Sequence, residues 1–139
     1  GLGVGGHREL CEAFLKACLD EKLCRPDRVK FIEGKFYKCF FYNTALRAWF
    51  DKELEKREER LKYRNEFAAN YFAGVFDSKG GFAQAGKKGV PYIIGDRVDE
   101  IVLLRLGFRV KKERGKFAIL SDDFYGWIQP YLKLEISRK

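Results

Sequence analysis

Between residues 8 and 23, Leu10, Phe14, Ala17, Cys18 and Leu19 recur at three- and four-residue steps while charges fill the other side. The pattern predicts an amphipathic helix, ended by Pro26. RVKFIEGKFYKCFFY then reads as two short β segments turning at Glu33 and Gly34. Asn43 or Thr44 caps a next helix carrying Leu46, Trp49, Phe50, Leu54 and Leu61, and its charged tail, EKREERLKYR, reads as a solvated face or connector. From Glu66 the chain is helical to Asp77 and breaks at Gly80 and Gly81. FAQAG and PYIIG form a second hairpin around the turn GKKG. Asp96 caps a helix that Gly107 ends. FRVKKERGKFAIL is a third hairpin turning near Arg114 and Gly115, and a last helix from Ser121 or Asp122 stops or kinks at Pro130.

RVKFIEGKF (28–36) matches RVKKERGKF (109–117), and a helix with a tryptophan follows each, Trp49 and Trp127. The preceding helices match loosely. A helix–hairpin–helix unit therefore occurs twice, and the helix over 66–77 and the hairpin over 80–95 have no counterpart upstream. Trp49 and Trp127 are expected in the core.

At 139 residues the chain supports one compact unit or two small halves, and its 46% hydrophobic content excludes disorder. No apolar run approaches the ~20 residues of a membrane helix. The expected setting is cytoplasmic, nucleoid-associated if the source is prokaryotic. The opening GLGVGG (residues 1–7 with His7) reads as a flexible tail or an appended remnant, because no strand precedes it and no Lys-Ser/Thr pair follows. Methionine is absent, so Gly1 is not expected to be the natural start.

With 28 Lys and Arg against 20 Asp and Glu, the net charge is +8, which suits a polyanionic partner, nucleic acid above all. Cys11, Cys18, Cys24 and Cys39 lack CxxC spacing and His7 is the only histidine, so no metal site is expected. Cys11 and Cys18 share a helix face and suit small buried hydrophobes. Few Asn and Gln and many Lys, Glu and Arg fit a thermophile, in which Cys24 and Cys39 are a candidate disulfide. Asp96, Asp99, Glu100, Asp122 and Asp123 read as helix caps and first-turn acids, not a metal cluster.

In YFAGVFDSKGGF (71–82) the small pair Ala73 and Gly74 permits two helices to approach closely, and Asp77 and Gly80 close the helix. With the α-ββ-α-ββ-α order around it, the helix end LLRLGF and the closing IQPYL, this stretch resembles the LAGLIDADG homing-endonuclease family over about 66–134, and more loosely over 8–60. The nine-residue motif falls on Phe72–Gly80. The resemblance implies an α+β fold with an αββαββα core, a partial (αββα) N-terminal repeat, and a mixed or antiparallel curved sheet packed on helices. Its boundaries are 8–62 for the partial repeat and 63–139 for the second, the two forming one unit, as a monomer with pseudo-twofold halves or a homodimer.

In that family the acid at the eighth motif position binds the divalent ions that cleave DNA, where two metals bridge the attacking and leaving oxygens. Here that position is Lys79. An ammonium repels Mg²⁺ and attracts phosphate. Asp77, at the sixth position, is helix-end structure, so no residue is assigned a catalytic role and no cofactor is expected. The reading is of a binder that no longer cuts. Helix 15–23, with Asp20 and Lys22 at the same spacing, is a second candidate motif.

The resemblance lays the hairpin strands along the DNA major groove, where β-ribbons fit. The candidate contacts are Arg28, Lys30, Lys35 and Lys38 in the first copy, and Lys79, Lys87, Lys88, Arg109, Lys111, Lys112, Arg114 and Lys116 in the second. Lysines that protect a strand edge from pairing give the same pattern. Tyr37, Phe41, Phe82 and Tyr92 are candidates for stacking on unpaired bases or for the core. Duplex DNA is the expected partner. The alternatives are an active homing endonuclease or RNA maturase, requiring Mg²⁺, and an RNA- or ribosome-associated accessory protein.

Overall fold

The structure, a computed structural model, describes residues 2–85 and 88–134; of Gln84, Ala85 and Lys88 it gives the backbone. The fold is α+β, with two antiparallel sheets. The chain divides into two units, Gly1–Glu55 and Lys56–Lys139. The division precedes the expected 62/63 boundary because Arg57 and Leu61 anchor in the second unit.

The first unit runs β1 (Leu2–Gly6), α1 (Arg8–Asp20), β2 (Lys30–Ile32), β3 (Tyr37–Phe41) and α2 (Thr44–Glu55). Its sheet order is β1-β3-β2. The segment expected as a tail is thus a strand, pairing antiparallel with β3 from Leu2 opposite Phe41 to Gly6 opposite Tyr37. Its glycines obscured it, since they lack the alternation that marks a strand. Helix α1 stops at Asp20, before Pro26, in a Schellman cap. Lys22 takes φ 55, its amide bonds the Leu19 carbonyl at 3.2 Å, and the Leu23 amide bonds the Cys18 carbonyl at 2.9 Å. The buried side of α1 carries Cys11 and Cys18 with half-buried Phe14 and Leu15, while Ala17 is exposed. Asn43 caps α2 by accepting from the Leu46 amide at 2.9 Å.

The second unit adds α3 (Arg57–Arg60), α4 (Glu66–Lys79), β4 (Gly80–Ala85), β5 (Lys88–Ile93), α5 (Arg97–Arg105), β6 (Val110–Glu113), β7 (Lys116–Ile119) and α6 (Asp123–Ile128). From α4 onward this is the expected α-ββ-α-ββ-α order, with sheet order β4-β5-β7-β6. Helix α4 buries Ala68, Ala69, Phe72, Ala73, Phe76 and Asp77, a three- and four-residue rhythm set against Phe117, Ile119, Phe124 and Ile128. Truncating a fully buried phenylalanine such as Phe72 or Phe76 costs about 3–5 kcal/mol. Gly80 lets the chain leave α4 straight into β4, since a Cβ there would lie 2.8 Å from the Phe76 backbone. Asp96 and Asp99 form a capping box on α5, Gly107 leaves it at φ 89, and Pro130 ends the last helix in a short 3-10 turn.

The two sheets share one pairing pattern. Cys39 lies opposite both Val4 and Phe31, and Phe117 lies opposite both Ile93 and Lys112. So β1, β2 and β3 stand as β5, β6 and β7 do. The hairpins differ in their turns. Arg114 and Gly115, at φ 47 and 79, make a two-residue turn of the I′ kind, whereas residues 33–36 form a longer one. Cys39, not Phe36, is therefore the counterpart of Phe117, and Phe36 is 67% exposed in the turn.

Trp127 contacts Phe72 of α4, with ring centroids 6.3 Å apart, as well as Phe108 and Phe124. Trp49, expected in the core, is 54% exposed. Among the described residues of the first unit, no helix takes the place that α4 takes beside Trp127.

Candidate nucleic-acid interface

Alternation along each strand sorts the cations by face. In β7, Phe117 and Ile119 turn to the helices, so Lys116 and Ala118 turn outward. Directly opposed residues of antiparallel strands share a face, which puts Lys111 (opposite Ala118), Glu113 (opposite Lys116) and Tyr92 (opposite Ala118) on that outer side. Lys112 is opposite Phe117. It lies on the helix side of the edge strand, with its ammonium 6.0 Å from the Phe117 ring. Lys112 is thus separated from the other candidates, because adjacent strand positions point to opposite faces.

The outer face is shallow. A hollow of about 520 Å³ is lined by Ala83, Tyr92, Glu113, Arg114, Lys116 and Ala118. The Tyr92 ring lies across Gly81, where a Cβ would stand 3.0 Å from its hydroxyl, and the Lys116 ammonium sits 4.4 Å from its centroid. The Tyr92 ring thus has both the Gly81 backbone and the Lys116 ammonium as close neighbours. Lys111 pairs with Glu113 at 2.8 Å, and that hydrogen bond raises the Lys111 pKa and lowers that of Glu113. Both are exposed, so the pair itself holds little energy.

The first unit repeats the arrangement. Phe40 and Lys38 alternate with buried Cys39 and Phe41, and Lys30 is opposite Phe40, so Lys30 and Lys38 lie outward on their own sheet. By register they are the counterparts of Lys111 and Lys116. Ile32 stands where Glu113 stands, so no acid opposes them at that position. Lys35, aligned with Lys116 by sequence, falls in the turn instead.

The remaining candidates are dispersed. Arg109 is exposed just before β6, where its amide donates to Ser121 Oγ at 2.8 Å and its carbonyl accepts from the Leu120 amide at 2.8 Å. Lys79 is exposed at the C-terminal end of α4, where a cation complements the helix dipole. Arg28 closes a short 3-10 turn beside the hollow that also holds Lys22 and Arg25. Lys87 and the Lys88 side chain lie outside the described residues. Phe41 is core, Tyr37 and Phe82 are half-buried, and Phe82 packs on Phe76 and Tyr125 at 5.5 and 5.0 Å.

Of the motif residues, Ala73 is buried, whereas a methyl group at Gly74 would meet open space, so the second unit does not need that glycine for its own packing. Asp77 is 8% exposed and accepts from the Lys133 amide at 2.6 Å and the Leu134 amide at 3.3 Å. Its carboxylate ties the chain after α6 to the end of α4.

Two polar residues, Arg57 and Arg64, escaped the sequence reading because they lie in a charge run. Arg57 reaches Asp96, and its Nη1 donates to the Tyr71 hydroxyl at 3.2 Å. Arg64 donates from Nε to the Leu106 carbonyl at 2.7 Å, pairs with Asp123, and covers the Phe108 ring at 3.8 Å. The available signal was that Leu61, inside the run, is apolar and 1% exposed.

Among the described residues no three His, Cys, Asp or Glu side chains are grouped to hold a metal, and no helix is long and apolar enough to cross a membrane. A comparison with protein-family models and another with curated proteins return no match.

Proposed function

We propose that this chain is a nucleic-acid-binding protein of LAGLIDADG-like architecture that holds duplex DNA against outward sheet lysines and does not cut it. The observation that carries the reading is the recurrence of one lysine pair at one register position, Lys30 and Lys38 in the first sheet, Lys111 and Lys116 in the second. Lysines scattered for solubility need not repeat in register. Point charges on an exposed β surface meet phosphates. The Lys116 ammonium, 4.4 Å from the Tyr92 ring centroid, competes with a stacked base for that ring and favours backbone contact, hence duplex over single strand. Lys79, where an acid would hold metal, supports binding without hydrolysis.

The test is equilibrium binding of a random-sequence duplex at several salt concentrations, with Mg²⁺ and Mn²⁺ in parallel and the products checked for cleavage. The expected slope of log affinity against log salt is roughly −4 to −8. Salt-independent binding, or none, sinks the proposal, and strand scission returns the chain to the nucleases. Tighter binding to single-stranded or duplex RNA would move it to the RNA-associated class.

A further inference from the structure

Helices α1 and α5 end in the same cap. In α5 the Gly107 amide bonds the Leu104 carbonyl at 3.0 Å and the Phe108 amide bonds the Leu103 carbonyl at 3.1 Å, as Lys22 and Leu23 do with Leu19 and Cys18. The left-handed position is filled by glycine after α5, at φ 89, and by lysine after α1, at φ 55. Glycine takes that conformation without steric cost, whereas a residue with a Cβ is strained in it. The first unit thus keeps a strained cation where the matching helix has glycine. The chain also lengthens at this point. Lys30 follows Lys22 by eight residues, while its register counterpart Lys111 follows Gly107 by four. The longer connection forms the short 3-10 turn Pro26–Arg28.

Both departures contribute to one hollow. It measures about 710 Å³ and is lined by Lys22, Arg25 and Arg28 together with Phe41, Tyr42 and Asn43. All three cations are exposed, and Arg25 pairs with Asp27 at 3.1 Å. Tyr42, one residue past β3, is 72% exposed, with its ring 5.8 Å from that of Phe40. In the second unit Leu120 stands one residue past β7, and the hollow beside it is lined by Pro91, Ser121, Asp122 and Tyr125, with no cation among the described residues. The cations and the exposed ring therefore belong to the first unit alone, although the repeat supplies both units with the same framework.

We propose that this hollow binds a nucleoside polyphosphate, with the phosphate chain on Lys22, Arg25 and Arg28 and the base against Tyr42. Three cations at one hollow match several negative charges carried close together, as on a di- or triphosphate. The exposed phenol ring offers a surface on which a base stacks. The volume lies in the range of small-molecule sites. Strain at a left-handed lysine persists where the side chain is wanted for a purpose other than stability, and here that side chain lines the hollow. The site does not use the outward sheet lysines, so it stands whether or not those faces hold DNA.

The test is calorimetric titration of the whole chain with ATP, GTP, inorganic triphosphate and a single-stranded oligothymidylate, at physiological ionic strength. ATP or GTP is expected to bind about fivefold or more tightly than inorganic triphosphate, the difference being the stacked base. Tyr42→Leu, which installs the residue of the second unit, is expected to remove that difference and leave triphosphate binding unchanged. Lys22→Gly is expected to weaken nucleotide binding about fivefold or more. The same variant should raise the melting temperature by roughly 2–4 °C, because it relieves the cap, so its loss of affinity is not a loss of fold. Absence of nucleotide binding, triphosphate binding as tightly as ATP, or wild-type affinity in Lys22→Gly would each overturn the proposal. Oligothymidylate binding more tightly than ATP, with the same dependence on Tyr42, would overturn it in favour of a nucleic-acid strand.

Discussion

The Tyr71 hydroxyl donates to Asp99 Oδ1 across 2.6 Å while accepting from Arg57, a relay that joins α3, α4 and α5 beneath the capping box. Burial, and then the bond to Asp99, raise the Tyr71 pKa far above that of a free tyrosine. Asp96, at the other end, is lowered: burial pulls it upward, but the Asp99 amide and Arg57 outweigh that.

The raised Tyr71 pKa has a definite sign in stability. The folded state favours the neutral phenol, so its contribution is fully present below the unfolded pKa, about 10, and is lost as pH climbs towards the folded value. Tyr71→Phe is expected to cost about 1–2 kcal/mol at neutral pH. It should also make the decline of stability above pH ~10 shallower than in the wild type, since the lysines titrate in both proteins. Denaturant unfolding of the two proteins at neutral and alkaline pH measures this.

Asp77 offers a second test in the same unit. Asp77→Ala leaves the Lys133 and Leu134 amides without their acceptor and is expected to cost about 2–3 kcal/mol. Hydrogen exchange should show those two amides losing protection before the core of α4 does. A catalytic acid would show the reverse, with stability kept and chemistry lost.

The sorting of lysines by face predicts unequal effects on DNA binding. Lys111→Ala with Lys116→Ala should reduce the magnitude of the salt slope by about two, as should Lys30→Ala with Lys38→Ala. Lys112→Ala alone, one residue away from Lys111, should leave the slope nearly unchanged. Equal losses at Lys111 and Lys112 would mean that total charge, not the outer face, governs binding.

The turn between β6 and β7 separates stability from charge. Arg114 occupies a left-handed position that asparagine tolerates better, so Arg114→Asn is expected to stabilise by about 0.5 kcal/mol. Gly115→Ala meets no neighbouring atom, yet at φ 79 it should destabilise by about 1 kcal/mol through backbone strain alone. Thermal melts of both variants read these shifts.

Local chemistry determined much of this protein from sequence alone. Asp96 announces its helix, Arg114 and Gly115 their turn, Pro130 the end of the last helix, and the 3.6-residue rhythm of α4 its buried side. These signals are legible because each acts within a few residues of itself. The net charge and the presence of lysines in both hairpins were legible on the same terms, whereas the matching of Lys38 with Lys116 came only from the register. Only tertiary structure decided the rest. A turn longer in one hairpin than in the other makes Cys39 the counterpart of Phe117 and leaves Phe36 in solvent. Strand pairing turns Lys112 away from Lys111 and makes a strand of the glycine-rich opening. Long-range packing draws Arg57 and Arg64 out of a charge run. In each case the deciding partner is either remote in the chain or set by a backbone conformation that residue type leaves open, and periodicity carries no record of either.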